Sequence, residues 1–306
     1  GKPKVFTVDA TPGARHTPLM HVITDERCLA YSQPGHPERP QRVAGTLALL
    51  REQRELKITW EKPKPPKDDK AIGRAHDLAH IHIIENPLGP LDGDTPDYPD
   101  IDAHARRSIG GALRALELAR AGKPNFSLMR PPGHHATRER AMGFCYFNNI
   151  AITTLAARAA GIKKVAVFDF DVHHGNGTED ILRKVDGTAF FSIHQHPAYP
   201  GTGTKSFDNC HNFTVAPESS NLIWRKAAST ALAEMKKFDP DLICVSAGFD
   251  AYKRDPLCQQ QLEIEDFTWI AQELRKLNKP QVNLLEGGYS NDLPKLIFAY
   301  LKGLLK

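Results

Sequence analysis

The sequence predicts an α/β fold, a single parallel β-sheet flanked by helices, with its functional site at the carboxyl ends of the strands. Three observations carry this reading. From Val165 onward, short β-branched or aromatic runs alternate with amphipathic segments, the pattern of βαβ units. Polar, chemically capable residues gather directly after four apolar runs, where open α/β sheets bind ligands. No internal repeat or low-complexity linker divides the chain, so residues 1–306 read as one domain.

In chain order, Lys4 to Val8 reads as a strand, His104 to Ala121 as a helix and Phe126 to Met129 as a second strand. Asn149 to Ala160 is the helix that leads into the strand Val165 to Asp169. Thr178 to Lys184 is helical, Ala189 to His194 extended, and Asn221 to Phe238 a long helix. The last two units pair the strand Leu242 to Ala247 with the helix Ile264 to Leu277, and the strand Val282 to Leu285 with the helix Leu293 to Leu304.

Composition narrows the class. Hydrophobic residues make up 41% of the chain and charged residues 25%, as in ordinary globular proteins. A chain of this length buries roughly three quarters of its unfolded surface, enough to support costly buried charges. Five cysteines, odd in number and without a C-x-x-C spacing, argue against a disulfide framework and point to a reducing cytoplasm. Apolar runs are far below the ~20 residues of a membrane span, and the polar start has no signal-peptide core behind it. The formal charge of +4 is spread without a Lys/Arg run, giving no support for nucleic-acid binding. The local exception is acidic: Asp92, Asp94, Asp97, Asp100 and Asp102 share one Pro/Gly-rich stretch.

The four strand ends carry the chemistry. Asp171 and His173 stand at i and i+2 of an extended segment and project to the same side. Asp250 can join them from another strand end. One imidazole and two carboxylates leave a fourth position open, the pattern of a catalytic zinc site, although iron(II) and cobalt(II) accept the same ligands. Polar Asp169, His174 and Asn176 close by make a merely structural Asp–His pair a poorer reading, because so many buried titratable groups call for a cation. The tandem His134 and His135 follow a rigid Pro-Pro-Gly segment and suit proton transfer to and from a hydrolytic water, with Asp169 and Asn176 available to fix their tautomers. Tyr289, after two glycines, can donate to an oxyanion. Together these pieces specify Lewis-acid hydrolysis of an amide.

Seven motifs, from Gly35 to Tyr289, resemble the histone deacetylases, acetylpolyamine amidohydrolases and bacterial relatives of the arginase/deacetylase fold. They are Gly35-His-Pro-Glu-Arg-Pro-Gln-Arg42, Arg130-Pro-Pro-Gly-His-His135, Gly143-Phe-Cys-Tyr-Phe-Asn-Asn149, Asp169-Phe-Asp-Val-His-His-Gly-Asn-Gly177, Tyr199-Pro-Gly-Thr-Gly203, Ala247-Gly-Phe-Asp250 and Glu286-Gly-Gly-Tyr289. The resemblance implies one zinc on Asp171, His173 and Asp250, His135 as general base and acid, His134 as its electrostatic partner, and Tyr289 polarising the acetyl carbonyl. It also implies a tunnel walled by Gly143, Phe144 and Tyr199, with Arg42 beside an inner acetate channel. A structural potassium ion is implied at Asp169, Asp171, His173 and Ser192.

Departures sharpen the expectation. Asn176 stands where some class I members have aspartate, and Glu286-Gly-Gly replaces their run of glycines; both features look like class II or bacterial members. Leu257 matches a position that is leucine in protein-lysine deacetylases and glutamate in the specialised polyamine enzyme, which favours an acyl-lysine substrate over an acetylated polyamine. An arginase-like dimanganese site needs a second carboxylate where Tyr252 stands, and an inactive binding module would have lost a ligand or the tyrosine. Asp94 is expected on the site's rim, accepting hydrogen bonds from substrate, with Asp97 and Asp100 behind it.

Overall fold

The computed structural model describes residues 19–306. Eight parallel strands form one sheet in the order β2-β1-β3-β8-β7-β4-β5-β6. They are β1 (Met20–Ile23), β2 (Ile58–Glu61), β3 (Asn125–Ser127), β4 (Val165–Asp169), β5 (Thr188–Gln195), β6 (Cys210–Val215), β7 (Leu242–Ala247) and β8 (Gln281–Leu285). The helices are α1 (Gln41–Glu52), α2 (Leu78–Glu85), α3 (Ile101–Arg120), α4 (Asn149–Ala159), α5 (Asn176–Leu182), α6 (Asn221–Phe238), α7 (Ile264–Lys276) and α8 (Leu293–Leu305).

Central strands are covered on both faces, so they are continuous apolar runs whose alternate residues feed opposite cores. In β4, Ala166 and Phe168 join the core under α1, α6, α7 and α8, while Val165 and Val167 join the core under α3 and α4. In β7, Ile243 and Val245 divide from Leu242 and Cys244 in the same way. The chain leaves β3, skips two positions and re-enters the sheet as β4; β8 and β7 later fill the gap. The four strands expected to deliver chemistry are therefore neighbours, and their carboxyl ends share one crevice.

The expected strand Lys4 to Val8 lies outside the described residues. Elsewhere the sheet adds β1, β2 and β6, and the helical layers add α1 and α2, none of which the sequence reading placed. The strand β2 is partly exposed along its length and β6 interleaves polar residues, so neither presents the unbroken apolar run that marks the central strands. One boundary matters for function: α5 begins at Asn176, two residues before the expected start, so Asn176 sits in its first turn.

Candidate active site

The crevice is built from strand ends. Beyond β4 come Asp171 and His173; beyond β7 comes Asp250. Their donor atoms lie within 4.8 Å of one another and all three residues are buried. Among the described residues this is the only cluster of metal-capable side chains of its kind. His173 Nδ1 lies 3.2 Å from Asp171 Oδ1 and 3.1 Å from Asp250 Oδ2. The remaining polar atom of each of these side chains is held elsewhere. Gly287 N–H donates to Asp171 Oδ2 at 2.8 Å, Val172 N–H donates to Asp250 Oδ1 at 2.9 Å, and Cys258 Sγ sits 3.5 Å from His173 Nε2. Such outer contacts aim the inner atoms at a common point. Two buried carboxylates facing one imidazole are costly without a cation, so the donor set fits a divalent ion. A Cβ on Gly287 would meet Asp171 Oδ2 at 2.6 Å, which explains why a glycine closes this side of the cluster.

Beyond β3, the loop carrying His134 and His135 is clamped by buried Glu286, whose Oε2 accepts from Gly133 N–H at 2.7 Å and His134 N–H at 3.2 Å. His134 Nδ1 donates to Asp169 Oδ2 at 3.0 Å. His135 Nδ1 lies 2.8 Å from Asn176 Oδ1, while the Asn176 amide nitrogen donates to His135 O. An amide oxygen only accepts, so Nδ1 carries the proton and Nε2 keeps its lone pair. The two imidazoles are driven apart. Burial disfavours charge on His134, but Asp171 and Asp169 outweigh it and raise that group to about 10. Burial, reinforced by neighbouring His134 and His173, holds His135 well below the usual range. The surrounding charges therefore favour a protonated His134 and a neutral His135.

Beyond β8, buried Tyr289 lies between Phe144, with ring centroids 5.7 Å apart, and the guanidinium of Arg42, 4.8 Å from its ring. Gly143 and Phe144 both take positive φ, at 57° and 68°. A Cβ on Gly143 would meet His135 Cδ2 at 2.5 Å, so only glycine lets the wall approach this closely. Tyr199 places its ring edge-on to His135 at 5.1 Å and remains 39% exposed.

Other expected residues fall around this centre. Arg42 is buried; it donates to Gly288 O at 2.7 Å, to Glu286 O, and to Glu38 Oε1 at 3.0 Å. It lines a cavity of about 210 Å³ with Tyr289, Arg39 and Pro294. Asp94 Oδ1 accepts from Gly143 N–H at 3.2 Å, so the acidic stretch reaches the wall of the site. Asp97 and Asp100 make no comparable contact with it; Asp100 stands at the start of α3. Leu257 is 36% exposed on the loop after Asp250. Ser192 is the register partner of Asp169, but its hydroxyl pairs with His194 Nδ1 at 2.9 Å. Tyr252 is fully buried and bonded to Arg254 and Asp292, which removes it from any second metal position.

The sequence matches the histone deacetylase domain family over residues 36–303. This chain belongs to the histone deacetylase family. A probable deacetylase of Methanothermobacter thermautotrophicus is 38% identical over 290 residues, covering 90% of this chain and 87% of that protein. Among solved structures, the HDA15 HD domain aligns with a TM-score of 0.87 and 30% identity, over 93% of this chain and 90% of that one. An acetylpolyamine aminohydrolase from Burkholderia pseudomallei aligns with a TM-score of 0.85 and 26% identity, over 93% of this chain and 98% of that one. The arginase/deacetylase fold and the amidohydrolase class are thereby established for this deacetylase. Among the described residues no helix is long and apolar enough to cross a membrane.

Sequence reasoning missed several residues that hold the deacetylase site together. Glu38 accepts from Arg130 Nε at 2.5 Å and Nη2 at 2.7 Å, and also from Arg42. It lies within the Gly35–Arg42 motif, four residues before Arg42, a spacing that could have flagged the pair. Glu286 stood out only as a departure from a run of glycines, and Asp255 and Cys258 carried no signal, because the partners of all three are backbone amides or side chains of other segments.

Proposed function

We propose that this deacetylase hydrolyses the acetyl amide of an acyl-lysine side chain, using one zinc ion held by Asp171, His173 and Asp250. The observation that carries the reading is the pairing of a neutral imidazole, His135, with a buried phenol, Tyr289, beside a three-ligand cluster. A divalent ion bound there supplies a Lewis acid for the amide carbonyl and lowers the pKa of a water molecule. His135 accepts the proton of the attacking water through Nε2 and returns it to the leaving amine nitrogen. His134, whose charged form Asp171 and Asp169 favour, opposes the negative charge that builds on the carbonyl oxygen, and the Tyr289 phenol donates a hydrogen bond to the same oxygen. Phe144 and Tyr199 supply apolar contact for the lysyl methylenes, Gly143 completes the wall, and the cavity beside Arg42 offers room for acetate. Asp94 would hold substrate at the rim. The register pairing of Asp169 with Ser192 supports the expected potassium position between β4 and β5, and five unpaired cysteines support a reducing, cytoplasmic setting.

Apolar, partly exposed Leu257 on the loop after Asp250 favours acyl-lysine. An acetylated polyamine is the second reading, favoured by Asp92 and Asp94 close enough to Tyr199 to help burial raise its phenol. Side-by-side turnover of an acetyl-lysine peptide and of acetylated putrescine or spermidine, with zinc-loaded and metal-depleted protein, separates them. A higher kcat/KM on the peptide supports the first reading, and preference for the polyamine replaces it with the second.

A further inference from the structure

Two glycines precede Tyr289, and Gly288 lies at φ 115°, so the local chain does little to fix where the tyrosine sits. Upstream of it, Phe249 N–H donates to Gly287 O at 3.1 Å and Arg42 holds Gly288 O. The tyrosine's own backbone is held from a different loop. Asp255, buried in the segment after Asp250, accepts the N–H of Tyr289 at 2.7 Å and of Ser290 at 3.1 Å through Oδ2. Its Oδ1 accepts the N–H of Leu257 at 3.1 Å. Among the described residues Asp255 is the only hydrogen-bond acceptor for the Tyr289 N–H, and no cation pairs with its carboxylate. All of its hydrogen bonds are spent on the backbones of two loops that face the site.

We propose that Asp255 is a positioning residue for the reaction, fixing the Tyr289 phenol for the acyl oxygen and holding Leu257 at the mouth in the same rigid unit. The inference rests on the role assigned to Tyr289 above. A single carboxylate serving both loops makes the oxyanion donor and the mouth residue shift together when it is altered. In Asp255→Asn the bonds to Tyr289 and Ser290 lose their charge-assisted strength even when the amide oxygen faces them, and the new NH₂ then faces the Leu257 N–H; turned the other way it faces Tyr289 and Ser290 themselves.

Hydrogen–deuterium exchange on the metal-loaded enzyme reads the anchoring directly. In D255N the amides of Tyr289 and Ser290 are expected to exchange at least about tenfold faster than in the wild type, with metal content unchanged. Unchanged exchange overturns the proposal. A double-mutant cycle reads the consequence for chemistry. Y289F is expected to lower kcat by about 10²–10³ in the wild-type background and only a few-fold in D255N, whose own loss falls on kcat rather than KM. Full multiplication of the two losses overturns the proposal. If D255N does not fold, D255E, which keeps the charge and displaces the carboxylate by one methylene, carries the same measurements. Faster exchange in D255N together with a wild-type kcat in Y289F overturns the role of Tyr289 and leaves the anchoring standing, so the two failures are distinct.

Discussion

Asn176 and His135 form a neutral pair, Oδ1 to Nδ1 at 2.8 Å, next to the charged pair of Asp169 and His134 at 3.0 Å. The partner decides the role. Asp169 beside His134 favours the charged ring, whereas Asn176 beside His135 fixes its tautomer and raises its basicity too little to offset burial and the neighbouring His134 and His173. His135 must be neutral to accept a proton, and its folded pKa lies well below the ordinary value. The acid limb of kcat/KM is therefore expected below about pH 6.5, the unperturbed imidazole value. Asn176→Asp places a charge there and should move that limb upward by about one unit or more. Coincident pH profiles for the two proteins would remove His135 as the base.

Replacing Asp250 with alanine deletes one of the three converging donors and the acceptor for Val172 N–H. Metal content, read by elemental analysis after dialysis, and turnover should both be lost. Full occupancy in this variant would show that the ion sits elsewhere.

Much of this site was legible because its chemistry is local in sequence. Asp171 and His173 share one extended segment, His134 and His135 are adjacent, and each motif follows an apolar run that had to be a buried strand. The partners Asp169 and Asn176 were also within reach, since they flank the loop that carries Asp171 and His173. What the sequence did not expose is the scaffolding between loops. Asp255 and Glu286 accept backbone amides from other loops, and nothing in a one-dimensional pattern states that a carboxylate will accept an amide from a distant turn. Edge strands such as β6 failed for a related reason: a half-exposed strand with polar residues interleaved lacks the apolar run that announces a buried one.

Glu38 bridges Arg130 and Arg42, with all three side chains buried, and so links the start of α1 to the histidine loop. Burial opposes its ionisation, but the two guanidinium groups outweigh burial and lower its pKa. Glu38→Gln leaves two buried cations short of their counter-charge and should cost about 3–5 kcal/mol in urea unfolding. The pH dependence has a definite sign. A depressed carboxylate contributes stability fully above its unfolded value, about 4.3, and loses it as pH falls below that. The wild type should therefore lose more stability than E38Q as pH falls from about 5 to about 2; parallel losses across that range would show that this pair is not a source of acid sensitivity.

Asp94 separates the two substrate readings. Its Oδ1 accepts from Gly143 N–H and from the Thr95 hydroxyl, so one oxygen already supports the wall of the site. Asp94→Asn keeps an acceptor for Gly143 and removes the charge, which makes it a test of electrostatics rather than of loop geometry. Burial raises the Tyr199 phenol, and Asp94 and Asp92 add to that rise, so the negative field reaches the aromatic at the mouth. A cationic acetylated polyamine is drawn in by that field, and its kcat/KM should fall in D94N most clearly at low ionic strength. The loss should shrink as the Debye length drops from about 10 Å at 0.1 M salt to about 3 Å at 1 M. A peptide with uncharged flanks meets the same residue only through hydrogen bonds to its backbone amides, so its loss in D94N should be the same at both salt concentrations. Equal kcat/KM for wild type and variant on both substrates, at both salt concentrations, would confine Asp94 to holding Gly143 in place.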